Sequence, residues 1–303
     1  MSSERTLILR NRRVELELER PGIGYNGTRF DQTGKILKCS MDGISVCSQE
    51  WPVDRMRTHL GIGFMNEFDM QHPPGFDEAE LGERFLKIGV GALQKEEATY
   101  DFLKRHSCMA SECSLRHTQD EVWIKSQSPE VLGYACALDK HIRLTEKGFS
   151  IGYGLQNLGS KVLRVQEYVH NFLAFDGHPI GPAYRIDLPH SIDTSSLNEY
   201  VDELNAVSIG DRHIGFRKPI EQPIFLKSLG TGTIAAPSWQ LSHEAIDWVL
   251  TESVDRPLTG IHLWAWGHVI SPELFVNLQV PCGAEVKWER RFEFHKKAPL
   301  GRG

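Results

Sequence analysis

Ile261-His262-Leu263-Trp264-Ala265-Trp266-Gly267-His268-Val269-Ile270-Ser271-Pro272 is the stretch on which the fold turns. Successive side chains of an extended chain point to opposite faces. Ile261, Leu263, Ala265 and Val269 therefore share one face, and His262, Trp264, Trp266 and His268 share the other. The aliphatic row must be buried in a core. The same period of two recurs at the start of the chain, where Val14, Leu16 and Leu18 alternate with Glu15, Glu17 and Glu19. Alternation of this kind predicts strands with one covered face.

Further strands are expected at 122–127, 141–145, 149–155, 161–176, 183–188, 224–228 and 233–236, and then at 260–269, 274–280 and 284–294. Turn signals separate them, among them Pro21-Gly22, Asn26-Gly27, Asp42-Gly43, Asp176-Gly177 and Pro281-Cys282-Gly283. Helical signals are confined to 77–84 and 194–204. Closely spaced strands with few short helices predict an all-β chain, a large antiparallel β-sandwich and not βαβ units. No repeat, low-complexity segment or linker divides the 303 residues, so a single domain over 1–303 is expected.

Hydrophobic residues make up 40% of the chain and charged residues 24%, ample for a core. The net charge of -6 gives no electrostatic reason to bind nucleic acid or anionic lipid. No apolar run is long enough to span a bilayer, and Met1 to Leu9 lacks a signal-peptide core, which predicts a cytoplasmic protein. The six cysteines form no CxxC pair and lie in apolar or strand-like stretches, so reduced, mostly buried thiols are expected. There is no GxSxG elbow, HExxH, P-loop or zinc knuckle. No cofactor and no metal is expected, although His262, His268 and Glu167 remain a possible ligand set.

Candidate site residues come from polar groups set in apolar strands. The Trp264/Trp266 face offers flat indoles to the C–H side of a sugar ring, and His262 and His268 offer proton transfer near neutrality. A second packed layer with satisfied histidines is the competing reading. His170 and Asn171 interrupt the apolar run 167–175, a costly placement unless they are hydrogen-bonded or functional. Glu273 follows the Ser271-Pro272 break and reads as a loop residue between strands. Residues 22–31 read as strand, tight turn and strand, and Arg29, in Gly27-Thr28-Arg29-Phe30-Asp31, projects from a strand as a ligand clamp or as half of an ion pair with a carboxylate such as Asp31. Glu67 stands in the apolar stretch Gly61 to Phe68. Lys87 stands in the glycine-rich strand 85–91, where Gly89 and Gly91 allow another group to approach the backbone. Lys87 either reaches a ligand hydroxyl or extends to the surface.

These motifs resemble the galactose mutarotase-like superfamily. His170-Asn171-Phe172-Leu173-Ala174-Phe175 is similar to the His-x-Tyr-Phe-Asn-Leu block of aldose 1-epimerases. Ile270-Ser271-Pro272-Glu273 resembles the segment that carries the family's glutamate, and Trp288 to Phe294 resembles the last strand of related proteins. Gly27 to Asp31 and Phe85 to Gly91 resemble a poorly characterised branch. The resemblance implies a supersandwich with an open sugar cleft, in which Glu273 takes the anomeric proton, His170 donates to the ring oxygen and Arg29 holds the sugar. Ile62-Gly63-Phe64 stands where the family has His-Gly-Phe, which leaves His262 or His268 to supply a second histidine. The expected partner is a sugar or sugar derivative. The three readings are an aldose 1-epimerase, a non-catalytic carbohydrate-binding protein, and a lyase or isomerase acting on an acidic or oxidised sugar.

Overall fold

The computed structural model describes residues 5–51, 59–229 and 238–297. Within them, two large antiparallel sheets face each other, and a small three-stranded sheet lies to one side. Among the described residues, the sheet that carries the site runs Thr6–Arg10, Val14–Glu19, Ile36–Met41, Phe64–Phe68, Leu163–Asn171, Val269–Val280, Gly260–Trp266, Ile224–Lys227, Glu199–Val201. The backing sheet has Ser238–His243, Trp248–Val254, Glu285–Lys296, Gly148–Asn157 and Cys136–Thr145 at its centre. The chain thus forms the antiparallel β-sandwich that its alternation predicts.

Several local expectations change. The 3-10 turn Thr194–Ser196 is all the helix found in 194–204, and 77–84 forms turns. Both stretches are too short to repay helix nucleation. The expected strand 161–176 ends at Asn171 and passes into a 3-10 turn at Phe175–Gly177. The stretch 85–91 is a hairpin of Arg84–Lys87 and Gly91–Gln94, turning through Gly89 at φ +75°. A Cβ on Gly89 would come within 2.4 Å of Asp31 Oδ1, so the group that approaches is the chain's own. Cys39 and Cys136 are buried and Cys47 half-buried, but Cys108, Cys113 and Cys282 are exposed, because two of them lie on solvent-facing edge strands and one in a turn. The expected strand 233–236 lies outside the described residues.

Aromatic side chains fill much of the space between the sheets. Phe64 from one sheet meets Phe149 and Phe292 from the other at centroid separations of 5.2 and 4.8 Å. Each such burial stabilises by about 1.5–3 kcal/mol. Set among them is a polar network centred on Arg290, which is wholly inaccessible to solvent. Its guanidinium reaches Glu167 at 2.7 Å and Glu252 at 2.6 Å, and donates to the Leu274 carbonyl at 2.8 Å. Glu167 also accepts from Asn66 Nδ2, and Glu252 from Trp239 Nε1 and Asn171 Nδ2. Burial opposes the charge on Arg290, but the two carboxylates more than offset it, and its pKa is raised.

This network lies behind an opening in the site-bearing sheet. Leu163–Asn171 and Val269–Val280 pair from Leu163↔Val280 to Glu167↔Val276, then separate, and meet again at Leu173↔Ile270 in the same register. Side chains join them across the opening. Ser271 Oγ accepts from the Asn171 backbone N–H at 2.9 Å, and the Pro272 carbonyl accepts from Asn171 Nδ2 at 2.7 Å. Pro272 has no N–H to give, and the opening is where none is needed.

Removing one partner of a buried ion pair strands the other charge. Arg290→Ala is expected to destabilise the chain by about 3–5 kcal/mol in urea unfolding. Combining it with Glu167→Gln and Glu252→Gln should recover part of that loss, and a triple variant no more stable than Arg290→Ala would count against the charge argument.

Candidate active site

His170 and Glu273 lie on the two strands that flank the opening. Along Leu163–Asn171, Tyr168 and His170 face outward, while Glu167, Val169 and Asn171 face the backing sheet. Along Val269–Val280, Ser271, Glu273 and Phe275 face outward and Leu274 and Val276 inward. His262 pairs with Glu273 and Trp264 with Ser271 in register, which sets the His262/Trp264/Trp266 face beside the pair. Glu273 is therefore a mid-strand residue and not the loop residue read from the proline break. A proline at a ladder gap does not end its strand.

The two groups meet at the floor of a cleft of about 510 Å³, a volume typical of small-ligand sites. His170 Nε2 stands 3.4 Å from Glu273 Oε1. Ser271 Oγ lies behind both, 2.9 Å from His170 Nδ1 and 3.0 Å from Glu273 Oε1. Rings enclose the imidazole. Phe172 stacks on it at 4.0 Å, and Trp264 and Phe30 present edges at 5.6 and 5.9 Å. Burial, and then the nearby Arg29 cation, hold the His170 pKa well below its usual value. Burial pushes the Glu273 carboxyl up to about 8, against the hydrogen bond from Ser271.

Arg29 lines the same cleft from the loop before Ile36–Met41 and not from a strand. It bonds Glu67 at 2.8 Å, Tyr168 Oη at 3.2 Å and Glu50 at 3.3 Å. Asp31 is not its partner and instead takes Lys140 at 2.7 Å. Burial opposes the charge on Arg29, but Glu67, Tyr168 and Glu50 raise its pKa. Three of its five N–H groups are spent on this scaffold, which fixes the guanidinium and leaves donors for a ligand.

Glu67 and Lys87 lie beneath this layer. Glu67 is closed off and accepts from Arg29, Tyr168 and Lys87. Lys87 is 1% exposed and bonds Glu67 and the Asp69 carbonyl, so it neither reaches the cleft nor extends to the surface. Burial lowers its pKa despite Glu67, while Arg29 and Lys87 overcome burial to lower that of Glu67. Both residues brace Arg29.

The remaining sequence candidates divide. His262, Trp264 and Trp266 line the cleft. His262 packs on Phe275 at 4.1 Å, and burial lowers its pKa to about 4, so it is a neutral wall. Trp266 is anchored by Nε1 to the Glu221 carbonyl. His268 leaves the row, because the strand ends at Trp266 and His268 sits in the turn. Its ring contacts the Glu50 carbonyl and lines a neighbouring depression. Asn171 points away from the cleft into the Arg290 network, so its role is to span the opening. Glu167 is bound by Arg290, far from sharing a ligand with His262 or His268, and no cluster of three metal-ligating side chains occurs among the described residues. Ser271 and Tyr168 belong to the site although no sequence pattern marks them as candidates. Ser271 stands two residues before Glu273 and so on its face, which is the one signal that could have found it.

No family model matches this sequence, and no curated protein does. Solved structures do match its shape. The Slr1438 protein from Synechocystis sp. PCC 6803 superposes with a TM-score of 0.59 at 12% identity, covering 96% of both chains. A galactose mutarotase-like protein from Lactobacillus casei gives 0.54 at 13%, covering 96% of this chain and 100% of that one. An aldose epimerase homologue from C. elegans gives 0.53 at 10%, covering 97% and 99%. No helix among the described residues is long and apolar enough to cross a membrane. With two large antiparallel sheets matched almost end to end by these structures, the chain has the galactose mutarotase-like β-sandwich fold.

Proposed function

We propose that this protein is an aldose 1-epimerase-like isomerase, in which His170 and Glu273 interconvert the anomers of a sugar bound in the cleft. The observation that carries this reading is the pair itself: two titratable groups 3.4 Å apart, buried at the floor of an aromatic-walled cleft and facing the same way. One group removes the proton of the anomeric hydroxyl and the other protonates the ring oxygen. The C1–O5 bond breaks as the C1 carbonyl forms, the open chain rotates about C1–C2, and reclosure with opposite proton transfers yields the other anomer. Trp264 offers its indole to the C–H face of the sugar, and the free donors of Arg29 hold a hydroxyl or a more acidic substituent.

The electrostatics suit this chemistry. With the Glu273 pKa near 8 and that of His170 well below 6.5, the pair at neutral pH holds one acidic proton, on the carboxyl, opposite a neutral imidazole. One acid and one base are what each half of the cycle requires.

Magnetisation-exchange NMR on neutral, phosphorylated and acidic aldoses tests the proposal. The α/β exchange of at least one sugar should accelerate, and Glu273→Gln and His170→Ala should each lower that rate by about 10²–10⁴-fold. Line broadening without acceleration for every sugar would leave a carbohydrate-binding protein.

The raised Glu273 pKa has a consequence for stability. The folded chain keeps a proton at Glu273 up to about 8, whereas the unfolded chain releases it near 4.5. This contribution is therefore full at acid pH and is lost as pH rises through that window. His170 has the opposite sign and costs stability as pH falls below 6.5. Relative to wild type, Glu273→Gln should gain stability between pH 4.5 and 8, on the order of a few kcal/mol at the upper end. Urea unfolding across the range reads this, and a difference that does not vary with pH would contradict it.

A further inference from the structure

We propose that Ser271 is a proton relay joining Glu273 to His170 behind the sugar, so that both groups exchange protons with the substrate while staying neutral. The proposal rests on the acid–base reading of the cleft. Its basis is the hydrogen-bond capacity of a single hydroxyl. Ser271 Oγ is fully buried, with three neighbours: Asn171 N–H at 2.9 Å, His170 Nδ1 at 2.9 Å and Glu273 Oε1 at 3.0 Å. A hydroxyl gives one hydrogen and accepts two. The Asn171 N–H permanently fills one acceptor position. One donor and one acceptor position are left, to be shared between two titratable groups.

Two proton arrangements satisfy Ser271 Oγ together with His170 Nδ1 and Glu273 Oε1. In the first, Glu273 Oε1–H donates to Ser271, Ser271 donates to His170 Nδ1, and the imidazole carries its proton on Nε2. In the second, His170 Nδ1–H donates to Ser271, Ser271 donates to Glu273 Oε1, and the carboxyl proton sits on Oε2. The atoms that differ outwardly are Nε2 and Oε2. Oε2 takes no hydrogen bond from the described residues, and Nε2 has only the 3.4 Å approach of Glu273 Oε1.

The substrate converts one arrangement into the other. From the first, Oε2 takes the proton of the anomeric hydroxyl and Nε2–H gives its proton to the ring oxygen. In step, Oε1–H passes its proton to Ser271, and Ser271 passes its own to Nδ1. The C1–O5 bond breaks and the sugar opens, with one proton lost and one gained on each side. The pair is now in the second arrangement. Reclosure runs the relay backwards: Oε2–H protonates the carbonyl oxygen, and Nε2 takes the proton of the O5 hydroxyl. The protein returns to its starting state with no ion formed in the cleft.

The surroundings favour neutral species. A direct route without Ser271 would create an imidazolium enclosed by Phe172, Phe30 and Trp264, with the Arg29 cation facing it. It would also create a carboxylate on Glu273, which burial and the charges of Glu67 and Glu252 oppose while Arg29 favours it. The depressed His170 pKa and the raised Glu273 pKa point the same way, since each shift favours the uncharged form. Separated charge in such a setting is expensive.

Nitrogen-15 NMR of imidazole-labelled protein without sugar tests the relay independently of any substrate. The expected result is a neutral His170 at neutral pH whose tautomer ratio changes in Ser271→Ala. An imidazolium in the wild type, or an unchanged ratio in the variant, would overturn the relay. With a sugar that exchanges, Ser271→Ala should lose about 10²-fold or more in kcat with little change in KM, and Ser271→Thr should recover most of it. Wild-type exchange should show a curved dependence on deuterium fraction, as expected when more than one proton moves. Thermal unfolding verifies that both variants fold. Wild-type turnover in folded Ser271→Ala, or an equal loss in folded Ser271→Thr, would sink the proposal. If no sugar exchanges at all, the isomerase reading fails while the NMR arm still decides the relay.

Discussion

The contact of Arg290 with Glu167 and Glu252 is the one on which the rest of the molecule depends. It holds a strand of each sheet in fixed relation at the centre of the sandwich. A buried ion pair contributes little net stability, because desolvation consumes most of the Coulomb gain. What it supplies here is position. Phe64, Phe149 and Phe292 could slide past one another at small cost, but a guanidinium with two carboxylates and the Leu274 carbonyl has one satisfactory arrangement.

That arrangement permits the opening between the two central strands of the site-bearing sheet. A gap in a backbone ladder would ordinarily leave unpaired groups in a dry interior. Asn171, Ser271 and Arg290 fill those needs with side chains. The opening therefore brings a serine hydroxyl between His170 and Glu273, where a continuous ladder would have bonded backbone to backbone. The same strands carry the Arg290 network on the inside and the His170–Glu273 pair on the outside, one residue apart in register.

Arg29 follows a similar logic at the cleft wall. Its charge is balanced by Glu67 and Glu50, and Lys87 supports Glu67 from below. The cleft receives a rigid cation whose field disfavours a second positive charge on His170. The fold is common to proteins with very different sequences, so the chemistry must be argued from these side chains and not from the architecture.

The sequence by itself determined the strands and their faces. Alternation at Val14–Glu19 and at Ile261–Trp266 follows from one wet and one dry side, a local property that needs no partner. It also drew attention to His170 as a polar group in an apolar run, to Trp264 by its indole face, to Glu273 after a proline break and to Arg29 in a glycine-rich stretch. Tertiary structure alone decided which of them meet. Asn171 stands next to His170 but faces the other way, and Lys87 is buried under Glu67. His268 leaves its row at a tight turn, and Ser271 gains its role from a ladder gap that only strand pairing creates. The contacts among them join residues apart in the chain, 20 positions for Lys87 and Glu67, 81 for Asn171 and Glu252, and 100 for Asn171 and Ser271. Hydrogen-bond satisfaction between distant strands is a property of their packing, and no local pattern encodes it.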